Sequence, residues 1–347
     1  MAGYRYGQNA VFGSGNITSN MSGPTVVVGT DINFSSGSTV NRSLFIGNSL
    51  TINEDITDSL ILGTGNTVES GTANSAIIGG RLNKMKAGSA GNVILGGLLG
   101  NASSTDEADY SVILGGMMNS QSGGDNGVVG GTMNVTQDLF EDGIVIGSGN
   151  NISSSQTQVF GDSNLLPNTS YRTFIGGGHF CNASATGKYV VMSGYYGYAN
   201  IPLGRTHGGG KFGSVTGSAQ FTDTIVGCQT TNATETKMVN QIPGIETSIA
   251  VRQDSSMMFR AEIVARRTGT QTESAAYEIV GCIKNDNGTT ALQGTITKTV
   301  IAEADSNWDV TAVANNTDDT LDIKVTGAAG KNINWVAKVK LVETNGA

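Results

Sequence analysis

"NVILGGLLGN" at residues 92–101 and "SVILGGMMNS" at residues 111–120 share Val-Ile-Leu-Gly-Gly, nineteen residues apart. The two copies belong to a series. A short apolar run ending in glycine closes at Gly13, Gly29, Gly47, Gly63, Gly79, Gly96, Gly115, Gly130, Gly147, Gly161, Gly176 and, in degenerate form, Gly194, with spacings of 14 to 19 residues. Such a period is too short for helix-pair repeats. The runs are rich in Val, Ile and Phe, as strands are. Each glycine marks a turn or a close backbone approach. An asparagine usually follows three to five residues later (Asn16, Asn33, Asn66, Asn83, Asn101, Asn119, Asn134, Asn150, Asn164). Because Asn tolerates the left-handed region, it is expected to form a second corner. One repeat therefore reads as one coil of a β-solenoid, and about twelve coils stacked at about 4.8 Å extend roughly 55–60 Å.

Neighbouring side chains of a strand face opposite ways, so a coil filled only on its inside should alternate apolar and polar residues. Val93, Ile94 and Leu95 are all apolar. Both faces of that strand are then expected to be covered. A coil this short has no second layer of its own. The natural cover is a second copy, which predicts a homo-oligomer, most simply a homotrimer around the rod axis. Otherwise an apolar stripe would run along the whole shaft. The alternative is a monomer whose loops fold over that face, with 102–109 and 136–142 the segments expected to protrude.

This apolar-triplet, glycine and asparagine-turn unit resembles the left-handed β-roll heads of trimeric autotransporter adhesins, and similar rolls occur in bacteriophage fibres. The period here is longer and less regular than in the adhesin heads. The opening "MAGYRYGQNA" lacks a signal-peptide layout, and no run approaches the length of a membrane-spanning helix. The resemblance implies a trimeric virion fibre assembled in the host cytoplasm.

Composition divides the chain. Residues 1–220 hold 41 of the 50 glycines and 22 charged residues; residues 221–347 hold 9 glycines and 26 charged residues. The expected organisation is an N-terminal cap or docking peptide at 1–10, a solenoid shaft at 11–194, a Gly/Tyr-rich neck at 195–220 and a C-terminal module at 221–347. In that module Phe259, Ala261, Ile263 and Ala265 alternate with polar residues. Tyr277, Ile279 and Ile283 do the same, as do Leu321, Ile323 and Val325, and Trp335, Ala337, Val339 and Leu341. Polar turns separate these runs, which predicts an antiparallel β-sandwich. The stretches 265–268, 273–278, Trp308-Asp309 and 335–339 resemble a C-terminal module of phage tail-fibre proteins.

The net charge of −8 disfavours nucleic acid as a partner. Cys181, Cys228 and Cys282 are too scattered for a disulfide framework or a zinc site. His207-Gly208-Gly209-Gly210 lacks the G-x-S-x-G partner of an esterase, and Gly210-Lys211 fails as a phosphate loop. No metal or cofactor is expected. Carboxylate pairs cleave glycosidic bonds, which singles out Asp106, Glu107 and Asp109 and the pair Glu141 and Asp142. Their other reading is solvated loop charge, and no catalytic residue is assigned.

The sequence thus predicts a non-enzymatic fibre or spike whose tip contacts a host-surface glycan or protein and whose N-terminus docks to other virion proteins. A head fibre or capsid decoration is one alternative, and a polysaccharide-cleaving tailspike is another. Candidate ligand residues are the tip turns Asn285, Asp286, Asn287 and Asn315, Asn316, Asp318, Asp319, together with Tyr195, Tyr196 and Tyr198. Tyrosine gives large amphipathic contact area at low entropy cost.

Overall fold

The computed structural model describes the chain outside residues 1–2, 7–8, 16–19, 22, 36–38, 54, 89, 100, 104–109, 123–124, 138–139, 185–187, 243–245, 270–271 and 347, and the described residues contain no helix. The fold is all-β, with a solenoid of about eleven turns. The chain forms two units, Met1–Arg172 and Thr173–Ala347.

In the first unit the coils are built from two short strands, joined in the early coils by a third. The triplets form one continuous parallel sheet. Its register sets Val27 beside Phe45, Phe45 beside Ile61, and so on through Ile77, Ile94, Ile113, Val129, Val145 and Val159. The two opening phrases are adjacent rungs, with Val93 against Val112 and Ile94 against Ile113. Two-residue strands such as Asn33–Phe34, Thr51–Ile52 and Asn151–Ile152 make a second face. Asn20–Met21, Thr39–Asn41 and Ile56–Thr57 begin a third. At the N-terminal end Gly3–Tyr6 lies antiparallel on Asn9–Ser14.

Only the middle residue of each triplet enters the coil. Phe45, Ile61, Ile77, Ile94, Val129 and Val145 are wholly buried, each contributing about 1.5–3 kcal/mol. The flanking residues point outward. Ile46, Ile78, Leu95, Leu114 and Ile146 remain about 40% exposed. Within one chain the outer face of this sheet is thus an uncovered apolar stripe.

Asparagine has a different task from the one expected. Asn66, Asn83, Asn119, Asn134, Asn150 and Asn164 are buried. The left-handed corner falls one residue earlier, at Gly65, Leu82, Met118, Met133, Gly149 and Ser163. The amides stack from coil to coil. Asn150 Nδ2 donates to Asn134 Oδ1 at 2.8 Å and to the Gly161 carbonyl at 2.7 Å, and Asn164 Nδ2 donates to Asn150 Oδ1 at 2.9 Å. The ladder satisfies polar groups that the corner would otherwise leave buried and unpaired. Close stacking also explains the glycine that ends a triplet. At Gly147 (φ +147°) a Cβ would lie 1.8 Å from the Gly161 carbonyl oxygen of the next coil.

A further corner precedes each triplet. Arg42, Asp58, Asn74, Gly91, Tyr110, Asn126, Asp142, Gln156 and Arg172 occupy it with φ between 46° and 69°. Buried small polar residues follow it; Ser59 N donates to Ser43 Oγ (3.1 Å) and Ser111 N to Asn92 Oδ1 (2.8 Å). The 136–142 stretch does not simply protrude. Phe140 is wholly buried, its ring set against Gly127 and Gly143. Residues 104–109 of the other expected loop lie outside the described residues.

In the second unit the coil strands Phe174–His179, Val191–Tyr195 and Arg205–Gly209 pair in parallel. Arg205–Gly209 then pairs antiparallel with Ala219–Thr230. Across the same sheet follow Ile333–Asn345, Ser255–Arg267 and Ser274–Asp286. A second antiparallel sheet is centred on Thr320–Thr326, flanked by Asp309–Asn315, Thr236–Lys237 and Ile249–Ala250. Buried side chains of both sheets, including Phe259, Tyr277, Ile323, Trp308 and Trp335, form one core. Two of its polar tips are satisfied, Trp335 Nε1 donating to Thr230 Oγ1 (2.9 Å) and Tyr277 OH to Glu303 (2.6 Å), while Trp308 Nε1 has no hydrogen-bond partner among the described residues.

Candidate functional site

The turn between Asp309–Asn315 and Thr320–Thr326 is built by Asn315. Its Oδ1 accepts from the backbone of Thr317 (3.0 Å) and Asp318 (3.2 Å), and its Nδ2 holds the Asp318 carboxylate at 2.9 Å. Asn316 Oδ1 accepts from Thr290 N (2.6 Å) and Asp319 Oδ1 from Thr290 Oγ1 (2.7 Å), which ties this turn to the strand Thr289–Leu292. The neighbouring 285–287 turn is equally organised. Asn285 is buried, accepts from Gly288 N (2.8 Å) and donates to the Val251 carbonyl (3.3 Å), while Asp286 is paired with Lys284. Asn287 adopts φ +50° and its backbone donates to Asp254 (2.9 Å).

Of these seven turn residues Asp318 alone lines a cavity of about 320 Å³. Around it stand Asn200, Lys237, Glu246, Ser248 and Thr320. The floor is polar and preset. Thr320 Oγ1 donates to the buried Asp322 carboxylate at 2.8 Å, and Lys237 Nζ lies 3.8 Å from Asp322. Two buried acceptor-capable groups beside it, Ser248 Oγ and Asn240 Oδ1, have no hydrogen-bond partner among the described residues. The cavity therefore offers an ammonium, two carboxylates on separate segments, hydroxyls and amides. These are donors and acceptors of the kind that hydrogen-bond sugar hydroxyls. Sequence reasoning missed Lys237, Glu246, Ser248 and Asn200, because no local motif joins positions so far apart.

The three tyrosines do not line this cavity. Tyr195 stacks on His179 (5.0 Å) and Tyr196 on Phe180 (4.9 Å), with Lys211 Nζ 4.2 Å above the Tyr196 ring. Tyr198 lies under Arg252 (4.4 Å), and its backbone is held by Gln220 at both N (2.8 Å) and O (3.0 Å). Gln220 also donates to Glu343 at 2.8 Å. Burial pushes the Glu343 carboxyl above the usual range, against the pull of Arg252, whose Nη1 is 3.4 Å away, and of Gln220. That 3.4 Å contact is an ion pair without hydrogen-bond geometry, and Glu343 Oε1 has no hydrogen-bond partner.

Among the other acidic candidates, Asp106, Glu107 and Asp109 lie outside the described residues. Glu141 is exposed, and Asp142 accepts from Asn126 Nδ2 at 3.0 Å. His207 Nδ1 lies 2.9 Å from Ser193 Oγ, and its ring stacks on Phe221 at 5.4 Å.

No known protein family and no curated protein matches the chain. Among solved structures it is similar to the tailspike gp49 of Acinetobacter baumannii bacteriophage Fri1, a capsular polysaccharide depolymerase, at 10% identity and a TM-score of 0.23 over 92% of this chain; it spans 63% of that one. It is similar to the tailspike of Acinetobacter baumannii phage AM24 at 9% identity and a TM-score of 0.24, over 95% of this chain and 68% of that one. The tailspike of Acinetobacter phage vB_ApiP_P1 matches at 11% identity and a TM-score of 0.17, over 89% and 82%. The fold assignment rests on the hydrogen-bond register of this chain and not on these likenesses. The expectation of a protein without enzymatic activity is nevertheless corrected here, since gp49 is described as a depolymerase.

Proposed function

We propose that the chain is a spike-like, host-attaching protein of a phage virion that binds host-surface polysaccharide in the Lys237–Glu246–Asp318 cavity and cleaves it there. The observation that carries this reading is the convergence of Glu246 and Asp318, from separate segments, on one polar cavity with Lys237. One carboxyl delivers its proton to the glycosidic oxygen as the bond to the anomeric carbon breaks. The other takes a proton from the water that adds there, so the products are two shorter saccharides. Lys237 and the hydroxyls of Ser248 and Thr320 hold the sugar hydroxyls.

The working unit is proposed to be a homotrimer. The support is the apolar stripe of Ile46, Ile78, Leu95, Leu114 and Ile146, in register over successive coils and uncovered in the single chain. Three copies around one axis would cover it and would raise avidity for a repetitive surface ligand.

The test is to incubate the protein with a panel of purified capsular polysaccharides and measure new reducing ends. Release by the wild type that falls at least a hundredfold in both Glu246→Gln and Asp318→Asn is expected. Release from no polysaccharide, or release that both variants retain, overturns the reading.

A further inference from the structure

The corner that precedes each triplet differs in chemistry from the corner that follows it. The following corner is apolar through the middle of the first unit, with Leu82, Leu99, Met118 and Met133 each more than 40% exposed. The preceding corner reads Arg42, Asp58, Asn74, Gly91, Tyr110, Asn126, Asp142, Gln156, Arg172, one residue per coil, all left-handed. Every side chain in that column is planar at its tip: guanidinium, carboxylate, amide or phenol ring. Non-glycine residues are costly in this conformation, so a long run of them is not what backbone preference alone selects.

Neighbours fix one another in this column. Arg42 donates to both oxygens of Asp58 (2.6 and 2.7 Å), Asn126 to Asp142 (3.0 Å) and Arg172 Nε to Gln156 (2.6 Å). These pairs hold the planar groups in place before any ligand arrives, which lowers the entropy lost on binding. Tyr110 is 67% exposed, the most exposed large apolar side chain of the described residues. Its ring lies on Gly91, where a Cβ would come within 2.6 Å of Tyr110 Cδ1. The one glycine of the column thus seats the one aromatic ring, with its other face turned to solvent. Beside Arg42, Asp58 and Asn74 the surface encloses an open cavity of about 580 Å³.

We propose that this corner is a lengthwise polysaccharide-binding ladder, with Tyr110 as its stacking platform. The coil repeat of about 4.8 Å is comparable to the advance of an extended polysaccharide per sugar ring. A chain laid along the corner therefore meets one planar hydrogen-bonding group per sugar. Planar side chains make paired hydrogen bonds to adjacent hydroxyls, and a flat ring packs against the C–H face of a pyranose. The two arginines and two aspartates balance in charge, so recognition is of hydroxyls rather than of net charge, and binding is insensitive to salt. The proposal takes its ligand class, and nothing else, from the polysaccharide reading of the C-terminal cavity.

The experiment is affinity electrophoresis of the full chain through gels containing each polysaccharide of the same capsular panel, at low and high salt, on an Asp318→Asn background. Retardation by at least one polysaccharide, unchanged by salt, is expected. Tyr110→Ala should weaken it about tenfold, a loss of about 1.4 kcal/mol. Tyr110→Phe should retain it, Asp142→Ala should weaken it, and Ser163→Ala on the corner that follows the triplet should leave it unchanged. No retardation of the unsubstituted protein by any polysaccharide, or retardation of Tyr110→Ala and Asp142→Ala equal to that of the unsubstituted protein, overturns the ladder. Retardation without release of reducing ends in the parallel assay leaves the ladder standing and sinks the cleavage reading, so the two fail separately.

Discussion

Asn150 is the position where the coil stacking can be weighed most directly. Its side chain donates to Asn134 Oδ1 and the Gly161 carbonyl, and its Oδ1 accepts from Asn164 at N (3.0 Å) and Nδ2 (2.9 Å). Asn150→Ala removes the acceptor of Asn164 N–H and the side-chain donor to the Gly161 carbonyl in a buried column, while Asn134 Oδ1 keeps the Asn150 backbone N–H (3.2 Å). At about 1–3 kcal/mol per buried unsatisfied group, the loss is about 3 kcal/mol. For a cooperative unit the size of Met1–Arg172 that lowers Tm by about 6–12 °C. Asn150→Asp keeps the shape but replaces a donor with a second acceptor facing the Gly161 carbonyl, so it should cost more at neutral pH. Burial raises the folded pKa of such a carboxyl above its unfolded value. Its contribution is then intact below the ordinary carboxylate range and is lost as pH rises through the raised value. Asn150→Asp should therefore recover toward wild type as pH falls to about 4. Thermal unfolding followed by circular dichroism measures both, with exposed Asn151→Ala as the control. A drop below about 2 °C for Asn150→Ala, equal to that of Asn151→Ala, would refute the ladder as a source of stability.

Two further outcomes follow from burial. Ile113→Asp buries a charge inside the coil and should abolish folding, whereas Leu114→Asp alters only the outward stripe and should leave a folded monomer of about 36 kDa by light scattering; a Leu114→Asp protein that stays oligomeric removes the stripe as the interface. Because burial raises the Glu343 carboxyl, its stabilising contribution is present below the ordinary carboxylate range and fades as pH rises. Glu343→Gln should then gain Tm relative to wild type above that range and lose the advantage at acid pH, and parallel Tm profiles of the two proteins contradict the assignment.

The solenoid was legible because its period is written in residues with few other uses: an apolar triplet closed by a glycine that the neighbouring coil presses against. The C-terminal strands were legible for the same kind of reason, since Phe259, Ala261, Ile263 and Ala265 alternate as a half-buried strand must and are all buried. The role of asparagine was not. Tolerance of the left-handed region and a need for stacked buried amides select the same residue, and sequence cannot separate them. The left-handed corners at Leu82, Met118 and Met133 carry no local signal, because stacking from above and below imposes that conformation against preference. The cavity is invisible for another reason. Lys237, Glu246 and Asp318 meet only when the second sheet forms, and the polar turn that drew attention, 285–287, spends Asn285 on its own backbone.

Each unit sets one antiparallel strand beside its parallel coil strands. Gly3–Tyr6 crosses the first coil antiparallel, and Ala219–Thr230 crosses Arg205–Gly209 antiparallel. A stack of parallel rungs is a template that another molecule could extend indefinitely, which is how fibrils grow. Reversing strand direction there gives an incoming parallel rung the wrong hydrogen-bond spacing to continue. Within each unit the antiparallel strand thus makes that edge a poor seed for end-to-end addition of a second molecule.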